Sequence, residues 1–175
     1  LNEHGPASDL HALATRLGWF WYVRGPITEG QFWLGRALAN RSVAPEILQP
    51  TLMAAGMLQH FGGDNEAAID LLRESLSTPV AEPDQWWIGC SQMLLGMSYL
   101  VQGATIPAEP AFAAGVEAFQ SIGHTTNAAI CLNYLGAIAW HRGNLTEAQA
   151  ICSEALRLHR ERGNPWGVAA SLEYL

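Results

Sequence analysis

The segment Gly143-Asn144-Leu145-Thr146-Glu147-Ala148 decides the fold, because versions of it recur along the chain. They are Gly25-Pro26-Ile27-Thr28-Glu29-Gly30, Gly63-Asp64-Asn65-Glu66-Ala67-Ala68 and Gly103-Ala104-Thr105-Ile106-Pro107-Ala108. Seven residues before each opening glycine stands another, at Gly18, Gly56, Gly96 and Gly136, with separations of 38, 40 and 40 residues. Leu38, Leu76, Val116 and Leu156 keep the same step. Self-similarity at such a period is the signature of a repeat architecture, in which each unit buries its apolar face only against its neighbours.

The recurring segment reads as a turn between two helices. Its opening glycine suits a helix C-terminus, where a left-handed residue is wanted. Asp64 and Asn144 can cap the following helix, and Asn144 with Glu147 has capping-box spacing. Pro26, Pro107 and Pro110 suit a first helical turn, which has no N–H bond to lose. The earlier, mid-helix glycine and the later Gly30, Ala68, Ala108 or Ala148 let two helices approach closely, which outweighs a propensity cost of about 1 kcal/mol for helical glycine. First helices are expected over residues 10–24, 50–62, 85–102 and 125–142. Second helices are expected over 27–41, 65–78, 107–121 and 145–162. Residues 1–9 read as a linker or N-terminal extension, 10–164 as four helix pairs, and 165–175 as the first helix of a truncated fifth pair. No segment alternates as a strand does. The fold class expected is all-α: a right-handed α-solenoid of antiparallel helix pairs with a period of about 40.

These units resemble the tetratricopeptide repeat. The resemblance rests on the glycine at the unit's eighth position, the turn segment, and the small residue at its twentieth. It covers residues 10–175 and is strongest over 132–163. The period exceeds the usual value of about 34. The aromatic expected three residues after the first glycine survives as Trp21 and Tyr99, and the closing proline is mostly missing. HEAT and armadillo repeats share the longer period but not the turn segment. Longer units ending in phrases like Glu161-Arg162-Gly163-Asn164-Pro165-Trp166-Gly167 are similar to the tetratricopeptide region of large bacterial regulators of the LuxR/MalT and SARP/AfsR types. There the repeats follow a STAND-type ATPase module and often adjoin a DNA-binding domain. The resemblance implies a cytoplasmic interaction or sensor module of a bacterial transcriptional regulator. A stand-alone adaptor that captures peptide segments of partner proteins is the alternative.

Composition narrows the function. The chain has 175 residues, 49% of them hydrophobic, enough for one short solenoid. It starts at Leu1 rather than Met, so a fragment of a larger intracellular protein is expected. Net charge is −7, and all nine basic residues are arginines. Nucleic-acid binding needs clustered cations, and the one local cluster, Arg157, Arg160 and Arg162, complements a helix C-terminus instead. Direct DNA binding by this segment is not expected, and without lysine there is no phosphate-loop nucleotide site. No apolar run is long enough to span a membrane. Cys90, Cys131 and Cys152, odd in number and widely spaced, read as small core residues rather than disulfide or zinc ligands. The six histidines form no ligand pair at helical spacing, so neither metal nor cofactor is expected. Asp64, Glu66, Asp70 and Glu74 read as a solvated helix face, and Ser91 and Ser171 lack a nucleophile elbow. No catalytic constellation is present, and the chain does not read as an enzyme.

The informative asymmetry lies between the two helix types. Second helices are charged, whereas residues 50–63 and 85–102 contain no Asp, Glu, Lys or Arg at all. The resemblance implies that first helices line a concave surface, and its groove-facing register maps onto three sets here. One set is Thr15, Met53, Met93 and Asn133. The next is Trp19, Met57, Met97 and Ala137. The last is Tyr22, His60, Leu100 and Trp140. All four methionines fall in these sets. Methionine adapts to varied apolar partners, and Trp and Tyr give rigid contact area. The expectation is an apolar groove for a protein or peptide segment, or for a small effector. The alternative is that these residues pack against neighbouring repeats. Acidic-tail clamps need basic grooves, which this one is not. The last helix, lacking its partner, is expected to leave Val168, Leu172 and Leu175 uncovered, which would favour a homodimer, folding back or fraying.

Overall fold

A computed structural model describes residues 6–175. Among them the chain forms nine consecutive helices: α1 (Pro6–Val23), α2 (Ile27–Leu38), α3 (Pro45–Gly62), α4 (Asn65–Ser77), α5 (Gln85–Val101), α6 (Thr105–Ser121), α7 (Thr125–His141), α8 (Leu145–Glu161) and α9 (Pro165–Leu172). Each packs on its sequence neighbours. First helices also meet across units, α1 with α3, α3 with α5 and α7 with α9, as in an α-solenoid. Of the linker expected over 1–9, residues 1–5 lie outside the described residues, and Pro6 already opens α1. Likewise α3 starts at Pro45 rather than 50, because Pro45 takes the first-turn position and Pro50 sits inside the helix.

The turns are made as the glycines demand. Gly63, Gly103 and Gly143 have φ of 93°, 72° and 81°. At each, the glycine N–H and the next N–H reach back to the carbonyls of the last helical turn; Gly143 N donates to Trp140 O at 2.9 Å and Asn144 N to Ala139 O at 3.0 Å. Gly123 and Gly163, after second helices, repeat this with φ of 70° and 63°. The C-terminal half therefore steps by one helix and one turn: α5, α6, α7 and α8 each have 17 residues. In the N-terminal half α2 and α4 have only 12 and 13 residues, and longer connections make up the period. Gly25 is the departure: it has no left-handed φ, and both Arg24 N and Gly25 N bond to Phe20 O.

Mid-helix glycines bring the two helices of a pair together. A Cβ at Gly56 would lie 2.7 Å from Leu72, at Gly96 2.8 Å from Phe112, and at Gly136 2.2 Å from Cys152. Phe112 and Phe119 are wholly buried. Such burial stabilises by about 1.5–3 kcal/mol per side chain. Asp64 caps α4 through Ala67 N at 3.1 Å. The capping box expected at Asn144 does not form; its Nδ2 donates to Glu147 Oε2 at 3.2 Å, and no side-chain bond reaches the helix N–H groups.

Candidate functional site

A groove of about 650 Å³ opens between the first helices α1, α3, α5 and α7. Its α1 wall is Thr15, Arg16, Trp19 and Tyr22, and its floor is Met53, Ala54 and Met57 of α3. From α5 come Trp86, Trp87, Cys90, Met93, Leu94 and Met97; from α7 come Asn127, Ile130 and Tyr134. Among the described residues the lining contains no carboxylate, and Arg16 is its one charged residue.

Six of the ten residues expected at the site are brought together here: Trp19, Tyr22, Met53, Met57, Met93 and Met97. Trp19 is 65% exposed and packs on Tyr22, ring centres 5.1 Å apart, while Tyr22 leans on Phe61 at 4.2 Å. Met53 and Met57 are buried, 6% and 7% exposed, so they serve the core as well as the groove. Met93 and Met97 are half-buried and present more of themselves to it.

The other four lie elsewhere. His60 is buried, its Nδ1 2.9 Å from Asn65 Oδ1 and 3.0 Å from Ser98 Oγ. Burial holds its imidazole below the ordinary value, partly offset by the Asn65 bond. Leu100 is half-buried against the core. Asn133 accepts from Ser171 Oγ at 2.7 Å and donates to Gly167 O at 3.4 Å, fastening α7 to α9. Trp140 stands beside His141 and Tyr174 near the C-terminus.

Trp86, Trp87, Ile130 and Tyr134 were not expected from the register. The lining moves toward the N-terminus of successive first helices, from residues 53–57 in α3 to 127–134 in α7, where the equivalents of 53–57 would be 133–137. A small rotation per repeat has this effect, so the groove crosses the helices diagonally. The i, i+3, i+7 spacing of Asn127, Ile130 and Tyr134 is the one signal that marked this α7 face.

Several polar and nucleophilic groups outside the groove are held or shielded by their neighbours, whereas His124 Nδ1 is buried without a hydrogen-bond partner among the described residues. Ser91, wholly buried, lies 3.1 Å from Ser75 Oγ. His11 lies between Thr51 Oγ1 and Asn40 O at 3.1 and 2.9 Å. Cys90, Cys131 and Cys152 are free and buried. Burial pushes the first two thiols up to about 12, which keeps them un-ionised and poorly nucleophilic. Arg157 is taken up by Glu154 and Glu161, and Arg162 Nε donates to Thr125 Oγ1 at 2.6 Å. On the ninth helix Val168 is half-buried, while Trp166 and Leu172 are 86% and 51% exposed and Leu175 just beyond is 48% exposed. No described helix is long and apolar enough to cross a membrane.

No protein-family model matches the chain, and no curated protein matches it. Among solved structures it is similar to the crystal structure of BtubC (BKLC) from P. vanneervenii, with a TM-score of 0.69 and 14% identity over 95% of this chain and 78% of that one. A likeness at that identity concerns the fold, and it agrees with the packing above: the chain is a helical repeat domain of the α-solenoid kind.

Proposed function

We propose that the chain is a non-catalytic binding scaffold whose concave groove takes up an apolar ligand. The observation that carries this reading is the lining itself: four methionines and five large aromatics contributed by separate helices, with a single charge among the described lining residues. Its volume lies in the range of about 300–1,000 Å³ common to small-molecule sites, and flexible methionines beside rigid rings suit ligands of varied shape. The resemblance of the repeats to those of LuxR/MalT- and SARP/AfsR-type regulators favours a cytoplasmic sensor module, in which occupancy of the groove biases a distant ATPase or DNA-binding domain. A tetratricopeptide adaptor that holds a peptide segment is the second reading, favoured by Trp19, which stands exposed at the groove edge.

Trp19, Trp86 and Trp87 make the groove its own fluorescent reporter. Titration with apolar ligands should shift the tryptophan emission. Met97→Glu should abolish that response with the far-ultraviolet helix signal unchanged. Equal responses from wild type and Met97→Glu would place binding elsewhere and sink the proposal.

A further inference from the structure

The groove's chemistry is apolar along three walls and cationic at one place. Arg16 extends from α1 beside Trp19, whereas the opposite wall, from α5 and α7, offers Trp86, Trp87, Ile130 and Tyr134. Arg16 is exposed, and among the described residues no carboxylate forms an ion pair with it. In a chain of net charge −7, a pocket whose described lining holds no acid and one guanidinium is locally the reverse of the molecule. A neutral apolar ligand would leave Arg16 with solvent alone, and a cation would be repelled by it. A ligand with an apolar body and one carboxylate would bury the body among the methionines and rings. It would place its charge at the groove edge, where the guanidinium donates to it in a forked, charge-assisted hydrogen bond.

We infer that the ligand is a small amphiphile with one carboxylate, held by Arg16. This rests on the groove being a binding site, and the test separates the two claims. Tryptophan emission would be titrated with decanoate, decanol and decylammonium below their aggregation ranges, on wild type and Arg16→Gln. Arg16 lies on the surface and takes no part in the core, so the variant should fold as the wild type does. Decanoate should bind wild type about tenfold more tightly than decanol, as a partly solvated charge-assisted bond allows. Decylammonium should bind weakest. Arg16→Gln should erase the preference for decanoate while leaving decanol unchanged, and added salt should shrink it in wild type. Equal binding of decanoate and decanol, or a preference that survives in Arg16→Gln, would overturn the inference and leave the apolar groove standing. Failure of all three to bind would overturn both.

Discussion

The walls built by α3 and α5 differ instructively from that built by α7. At one repeat position stand Met53, Met93 and Asn133, each three residues before a mid-helix glycine. The two methionines line the groove. The asparagine turns to α9, where it holds Ser171 and the Gly167 carbonyl. The same register thus lines an open groove in the middle of the stack and forms a helix-to-helix clasp at its end. Repeat position fixes which way a residue points to within a helix face; side-chain chemistry and the accumulated rotation of the stack decide what it meets there.

The comparison would break most visibly at the methionines themselves. Met57 lies in the core and Met97 is half-buried beside the groove. Met57→Glu should therefore lower stability by about 3–5 kcal/mol, the cost of a buried charge without a partner. Met97→Glu should cost about 1 kcal/mol, because its carboxylate can turn to solvent. Urea unfolding followed by circular dichroism measures both. If the two cost the same, the division of the methionines between core and groove is wrong.

Asn133 tests the other side. Asn133→Leu removes the acceptor for Ser171 and the donor for the Gly167 carbonyl, a loss of about 1–3 kcal/mol. That loss should concentrate in α9, seen as faster amide exchange there with α3 and α5 unchanged. Met93→Leu, the equivalent volume-conserving change, should cost under about 1.5 kcal/mol and leave α9 as protected as before. Uniform exchange in Asn133→Leu would mean that the clasp does not hold the terminal helix.

A buried histidine serves each wall, His60 near α5 and His159 beside Asn133. Burial lowers both below the ordinary 6.5. The unfolded chain then binds protons that the folded one refuses, so stability is full above about pH 6.5 and declines as pH falls below it. Unfolding midpoints between about pH 7.5 and about pH 5.5 should drop less in a His60→Gln, His159→Gln double variant than in wild type. An equal drop would assign the acid sensitivity to carboxylates.

The features of this architecture that were readable in the sequence are those set by local sterics. A left-handed residue after a helix strongly favours glycine, so Gly63, Gly103 and Gly143 announce their turns, and Gly56, Gly96 and Gly136 announce close helix pairs. The second-helix turns at Gly123 and Gly163 obey the same rule but have no counterpart after α2 and α4, so aligning all four units hid them. For the groove, the absence of charge in residues 50–63 and 85–102 marked α3 and α5, two of the four helices that line it, and left α1 and α7 unmarked. Trp86, Trp87 and Tyr134 escaped because the lining shifts along each helix by an amount that depends on how whole repeats pack, which no single repeat encodes.

The smallest effect separates two residues that look alike in the turn segments. Asp64 and Asn144 occupy the same position before α4 and α8, and both belong to the types favoured at helix N-termini. Only Asp64 accepts a backbone N–H, from Ala67 at 3.1 Å; Asn144 spends its amide on Glu147. Asp64→Ala should therefore cost about 1 kcal/mol. Asn144→Ala gives up a solvent-exposed side-chain bond and no cap, so it should cost no more than about 0.5 kcal/mol. The more regular C-terminal half would then be the one that depends less on this cap. Its helices of 17 residues carry more internal bonds than the 13 of α4, and a frayed first turn is a smaller share of the whole. Paired denaturation curves decide it. An Asn144→Ala loss as large as that of Asp64→Ala would show that the amide reaches the helix N-terminus after all.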